Sequence, residues 1–299
     1  MPFLACLTTR CFPFLTRSAR LFVAALLVCP IWAEVPAAVA PSYANAKAAL
    51  DAGQFADAAR MLGESLAELP PDTAGIGLLY LAQGTAFLRG GQPEKAIAPL
   101  EKAVLSDASV LPLLADSFRG AGRKDDAMRA YEKAASGDSL NAGYSRARLS
   151  ELQSAGEPDA TKAAALLFAA ADAFAALGAE EATYIAEATK LYEAIARNKV
   201  WRGESTARAV FSLGEVERGK KAFPEAIAYY QRCFVSWSKY VNWSARAYLR
   251  AADSFEALGR RTEAKEHLRE LVRKDAKYGK LPEFAAAKTR LRAWGDVVP

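Results

Sequence analysis

The residues able to do chemistry are few and scattered. His267 is the only histidine, and a lone imidazole could act as a general base or as a metal ligand. Cys233, the nearest thiol, lies more than 30 residues away, whereas a zinc site draws three or four such ligands together. An exposed surface place is expected for His267 and a buried structural one for Cys233. The acid pairs Asp125-Asp126 and Glu180-Glu181 could support acid–base work, but both fall where helices begin, and carboxylates there favour the positive end of the helix dipole. The stretch "GIG" at 75–77 lacks the third glycine and the preceding strand of a nucleotide-binding turn. A Gly-x-Ser-x-Gly elbow is absent from the sequence. No catalytic set, metal site or cofactor is expected, so the chain reads as non-enzymatic.

One aromatic group has more to offer. The run "YYQRCFVSWSKYVNW" brings Tyr229, Tyr230, Trp237, Tyr240 and Trp243 together with Phe234. Such rings can stack on sugars or anchor a partner segment. They can equally fill a core between helices, and the sequence leaves both uses open.

What must position these residues is helical. The composition is 52% hydrophobic with alanine dominant, and period-two alternation is almost missing. A fixed interval then repeats: Gly53 precedes Ala58 by five residues, Gly91 precedes Ala96, Gly122 precedes Ala127 and Gly259 precedes Ala264. Seven and four residues before three of these glycines stand Gly84 and Phe87, Ala115 and Phe118, Ala252 and Phe255. Four residues after the alanines stand Leu62, Leu100, Tyr131 and Leu268. A further copy, "FSLGEVERGKKAFPEAIAYYQRC", lacks the turn glycine but keeps Leu213, Gly214, Phe223, Ala226 and Tyr230.

This pattern resembles the tetratricopeptide repeat, a helix-turn-helix unit of about 34 residues. The resemblance implies an all-α, right-handed superhelical solenoid in which small residues mark the close approach of paired helices. Its organisation is read as an N-terminal array over 42–177, an irregular helix and connector over 178–204, further repeats over 205–275, and a capping helix and tail over 276–299. A break in the superhelix is expected near 178–204, because the helix there is one more than simple alternation allows. In the family's frame the first helix of each pair lines an inner groove. Those positions would carry Arg89, Arg119, Arg146, Arg208, Arg218 and Arg246, against Asp116, Asp253, Glu215 and Glu256. A mildly basic groove of this kind would suit an acidic peptide or C-terminus. The Lys and Asn clamp of the family's chaperone-tail binders is replaced here by Leu81/Thr85, Pro112/Asp116 and Phe211/Glu215.

Residues 1–33 differ from the rest. Arg10, Arg17 and Arg20 precede the apolar run "LFVAALLVCPIWA" without an acid among them, the layout of a secretory signal. Cleavage is expected after Ala33. An uncleaved anchor or lipidation at Cys29 are the other readings of the same stretch. Without this segment the balance falls from 39 basic and 34 acidic residues to 36 and 34, so nothing argues for nucleic acid as a partner. Cys6, Cys11 and Cys29 would leave as well, and Cys233 alone could form no intrachain disulfide. The expected protein is an exported scaffold of the periplasm or cell envelope, or a secreted one, with no stable membrane span after cleavage. Its expected partner is a protein or peptide, with a carbohydrate or peptidoglycan ligand for the aromatic run as the alternative.

Overall fold

A computed structural model describes residues 36–296. The expected leader, its cleavage site and the last three residues lie outside that range. All regular structure among the described residues is helical, and these residues divide into two compact units, with the boundary between Ala134 and Ala135.

The first unit is a run of helix pairs: α1 (Ala40–Asp51) with α2 (Phe55–Glu68), α3 (Ile76–Arg89) with α4 (Pro93–Ser106), and α5 (Leu111–Gly120) with α6 (Lys124–Ala134). The turns inside these pairs share one device. Gly53, Gly91 and Gly122 adopt φ of 75°, 71° and 77°, the left-handed region that a Cβ disfavours. The Gly91 amide donates to the Leu88 carbonyl and the Gln92 amide to that of Phe87, at 3.1 and 2.9 Å. This pairing satisfies carbonyls that the end of α3 would otherwise leave orphaned. The reversed chain then drives Ala96 into the pair, where it is fully buried. A Cβ built on Gly84 would come within 2.4 Å of Leu100, so the small residue and the large one across the pair fit each other. Val39, Ala46, Leu62, Leu79 and Ala86 form the core around α1 to α3.

The second unit contains α7 (Leu140–Gly156), α8 (Ala160–Leu177), α9 (Thr183–Arg197), α10 (Glu204–Gly219), α11 (Phe223–Ser236), α12 (Val241–Ala257), α13 (Arg261–Arg273), the single turn α14 (Asp275–Tyr278) and α15 (Pro282–Ala293). Side-chain caps start two of them. Ser139 accepts from the Ala142 amide at 3.1 Å, and Asp159 accepts from Thr161 and Lys162 at 3.0 and 2.8 Å.

The glycine-less copy is explained by Lys221, which takes φ of 62° where the other copies have glycine. Its amide donates to Arg218 and the next amide to Glu217, both at 2.9 Å, the same pairing as at Gly91. Gly214 approaches Tyr230 as Gly84 approaches Leu100, with a hypothetical Cβ at 2.5 Å.

Within 178–204, where an interruption is expected, α9 packs against the helices on both sides of it. Tyr184, Ala188, Leu191, Tyr192 and Ile195 of α9 share one core with Phe168 and Phe174 of α8 and with Ala209 and Leu213 of α10. An amphipathic α9 therefore continues the layer, and "NKVWRGES" is the turn leading into α10. The division between compact units falls at 134/135 instead. At the far end, α15 buries Phe284, Ala287 and Leu291 against Leu268, Leu271 and Tyr278, covering the core as a terminal helix should.

Candidate partner-binding groove

The six arginines all stand on helices, Arg89 on α3, Arg119 on α5, Arg146 on α7, Arg208 and Arg218 on α10 and Arg246 on α12, but most are already engaged. In the first unit Arg119 lies 3.4 Å from Asp116, three residues before it on α5. In the second, Arg146 donates to the carbonyls of Ala135 and Gly137 at 2.9 and 2.7 Å. Arg208 meets Asp172 at 2.6 Å and lies over the Phe168 ring, 4.0 Å from its centroid. Arg218 meets Glu215 at 3.2 Å, which holds its guanidinium above the usual range. Arg246 meets Glu283 at 3.2 Å.

Arg89 is different, since no carboxylate of the described residues lies within ion-pair distance of it; its Nε, like the Nε of Arg119, is buried without a hydrogen-bond partner. Burial lowers its pKa, with Asp51 opposing that shift from a distance. The side chain is half-buried rather than projecting freely from α3.

The groove carboxylates have a recurring use that the sequence reading did not anticipate. Tyr131 donates its hydroxyl to Asp116 at 2.5 Å, and Tyr230 donates to Glu215 at 2.5 Å. Tyr192 does the same to Asp172, also at 2.5 Å. Burial, ahead of the adjacent carboxylate, pushes the Tyr192 and Tyr230 hydroxyls well above the usual phenol range. Each acid so held also faces a guanidinium. In two copies the spacing is identical: acid, Arg three residues on, Tyr fifteen residues on, as in Asp116/Arg119/Tyr131 and Glu215/Arg218/Tyr230. That interval could have revealed the motif. Arg250 joins Glu215 at 3.3 Å and Asp253 at 3.1 Å, and Arg290 of α15 contacts both Asp253 and Glu256.

The aromatic run does not form one exposed patch. Tyr230 is fully buried, packed with Phe211 and Cys233, which corrects its place among candidate surface residues. Tyr229, Trp237, Tyr240 and Trp243 are half-buried around the same core. Trp243 donates its indole N–H to Glu204 at 3.3 Å and packs against Phe211, with Arg246 5.0 Å from its ring centroid. Arg232 lies 5.5 Å from the centroid of Trp237.

The two isolated reactive residues also have structural surroundings. Cys233 is buried, and desolvation pushes its thiol up to about 12, the opposite of what a nucleophile needs. His267 is half-buried rather than exposed. Its ring lies between Phe234 and Phe255, at 5.8 and 4.9 Å between centroids, with Nδ1 2.9 Å from the Glu263 carbonyl. Among the described residues no group of three or more His, Cys, Asp or Glu side chains is placed to hold a metal ion. One described helix, α8, is long and apolar enough to cross a membrane by length and composition; Phe168, Ala171 and Phe174 on it lie in the core shared with α7 and α9.

Paired helices, reversed on a left-handed residue and locked by a small-to-large contact, define an all-α repeat solenoid. Family models of the tetratricopeptide repeat match residues 43–110, 81–142, 181–233 and 246–277, together more than half of the chain. The chain belongs to the tetratricopeptide-repeat family. Among solved structures it is similar to the MamA protein, at 18% identity over 82% of this chain and 96% of that one with a TM-score of 0.29. It is also similar to Pseudomonas aeruginosa PilF, at 16% identity over 85% and 97% with a TM-score of 0.32. A tetratricopeptide repeat protein from Parabacteroides merdae matches at 15% identity over 84% and 98%, with a TM-score of 0.38. No curated protein matches the chain.

Proposed function

We propose that this protein is a non-enzymatic scaffold, exported to the periplasm or cell envelope, that binds an acidic segment of a partner protein through the first helices of its repeats. The family supports the scaffold role, and the basic, acid-free start of the chain supports export. Arg89 carries the proposal for the groove. A half-buried guanidinium with an unpaired N–H is unfavourable by itself and gains most from an incoming carboxylate, which can take two of its donors at once. The other five arginines would have to give up a bond already made. Stacking on a sugar would likewise require Trp243 to displace the side chains against its ring, so the carbohydrate reading is the weaker one.

The test is binding of a partner captured from envelope extract, compared between wild type and Arg89→Gln. Losing a charge-assisted pair of about 2 kcal/mol should weaken binding roughly thirtyfold, with the melting temperature unchanged or raised. Arg208→Gln, which loosens an internal pair, should leave affinity close to wild type. Unchanged affinity in Arg89→Gln would reject the groove reading. Loss confined to Trp237→Ala with Trp243→Ala, in a folded protein, would favour the glycan reader.

A further inference from the structure

Beyond residue 33 the net positive charge of the chain is concentrated at one end. Residues 259–299 contain eleven Lys and Arg against six Asp and Glu. That excess of five is larger than the balance of 36 against 34 over everything after residue 33, so the preceding repeats are slightly acidic. Seven of the eleven cations already face a carboxylate inside the fold. Four do not meet one among the described side chains: Lys277 and Lys280 in the turn before α15, and Lys288 and Arg292 upon it.

Their setting favours a broad anionic surface. Phe284, Ala287 and Leu291 turn one side of α15 into the core, and Arg290 and Glu283 on a second side are tied to α12 through Asp253, Glu256 and Arg246. Lys288 and Arg292, one turn apart, share the remaining flank beside the exposed Ala285 and Thr289. Glu283 is the only acid of this helix and its side chain is 14% exposed, so the open surface of α15 holds no free carboxylate. Three of the four cations are lysines, flexible point charges rather than oriented forks. The exposed side chains beside Lys288 and Arg292, Ala285 and Thr289, are small, and neither is an aromatic anchor of the kind on which protein interfaces depend.

We propose that α15 and the turn before it form a docking surface for an anionic lipid bilayer, with Lys277, Lys280, Lys288 and Arg292 facing the headgroup phosphodiesters. Small side chains let the helix lie flat, and the lysine stems lay their methylenes along it while the ammonium groups reach the phosphates. Each cation near such a surface strengthens binding about fivefold, and salt weakens it within a Debye length of about 8 Å at physiological ionic strength. This surface uses none of the six groove arginines, and its test does not depend on the groove reading.

The experiment is co-sedimentation of protein lacking residues 1–33, which leaves the described fold whole, with two vesicle preparations. One is equal parts phosphatidylglycerol and phosphatidylcholine, the other phosphatidylcholine alone. Binding to the first only, reversed by salt, is expected. Changing the four residues to alanine should reduce that binding on the order of several hundredfold without altering the circular dichroism melt. Alanine at four cations elsewhere in the second unit, Lys162, Lys199, Arg202 and Lys239, should retain it. The proposal fails if wild type ignores the anionic vesicles, or if the two quadruple variants lose binding equally. It also fails if soluble polyglutamate is captured in preference to the vesicles, since that would assign the surface to an acidic protein.

Discussion

Lys221 holds a backbone conformation that this chain gives to glycine in its other copies of the same turn. The left-handed region brings a lysine Cβ close to the following carbonyl and costs on the order of 1–2 kcal/mol. It persists because the amides of Lys221 and Ala222 close the end of α10 and because Ala226 must enter the pair five residues later, fully buried. Lys221→Gly should therefore stabilise the protein. Part of the gain is offset by the larger conformational freedom of glycine in the unfolded chain, leaving about 0.5–1 kcal/mol. Urea denaturation measures it, and a midpoint at or below wild type would show that Lys221 is not strained. The exposed Lys221 side chain makes the substitution clean, since no packed group is removed.

At the level of elements, most helices were legible because their spacing is a packing code. A glycine, an alanine five residues on and a large residue four further on specify a reversal and a close approach, and Ala58, Ala96, Ala127 and Ala264 are all fully buried. α9 escaped that code because Gly178 is followed by Thr183 rather than alanine. Its ordinary helical stripe from Tyr184 to Ile195 was the signal to follow. The sequence pattern shows which helices carry the six arginines but hides their partners, because Asp172 and Glu283 come from other pairs, 36 and 37 residues away from Arg208 and Arg246. Sequence spacing shows neighbours along a helix, not those brought beside it by folding. One such long-range contact fixes α9. Arg148 on α7 meets Glu187 on α9 at 2.7 Å, with both side chains almost fully buried, and Glu151 at 2.7 Å. Glu187→Ala leaves the buried guanidinium with Glu151 alone and should cost about 3 kcal/mol. Arg148→Met combined with Glu187→Leu should recover most of that loss, because two matched apolar side chains need no counter-charge. Chemical denaturation of the three proteins checks this, and a single variant as stable as wild type would mean that the pair contributes little to holding α9.

At the level of the whole molecule, the proposed export has a structural consequence: the place where a leader is cut would decide whether the first unit keeps its core. Ala33 and Ala40 are two of the small residues at which such a leader could end. Cleavage after Ala40 would leave proline as the first residue, a poor substrate, and would also remove Val39. That side chain is fully buried with Leu50, Leu62 and Leu79. Pro36 would go too, and it packs beside Gly75 at the entrance to α3, where an added Cβ would come within 2.7 Å of its ring. Cleavage after Ala33 preserves both contacts and begins the chain at Glu34. Burying a valine is worth about 1.5–3 kcal/mol, so a chain starting at Pro41 should melt lower than one starting at Glu34 by roughly 5 °C or more. Intact-mass measurement on protein recovered from the envelope fraction should find the Glu34 species. A mature chain starting at Pro41, or a full-length species confined to the cytosol, would overturn this account of how the protein reaches its place of work.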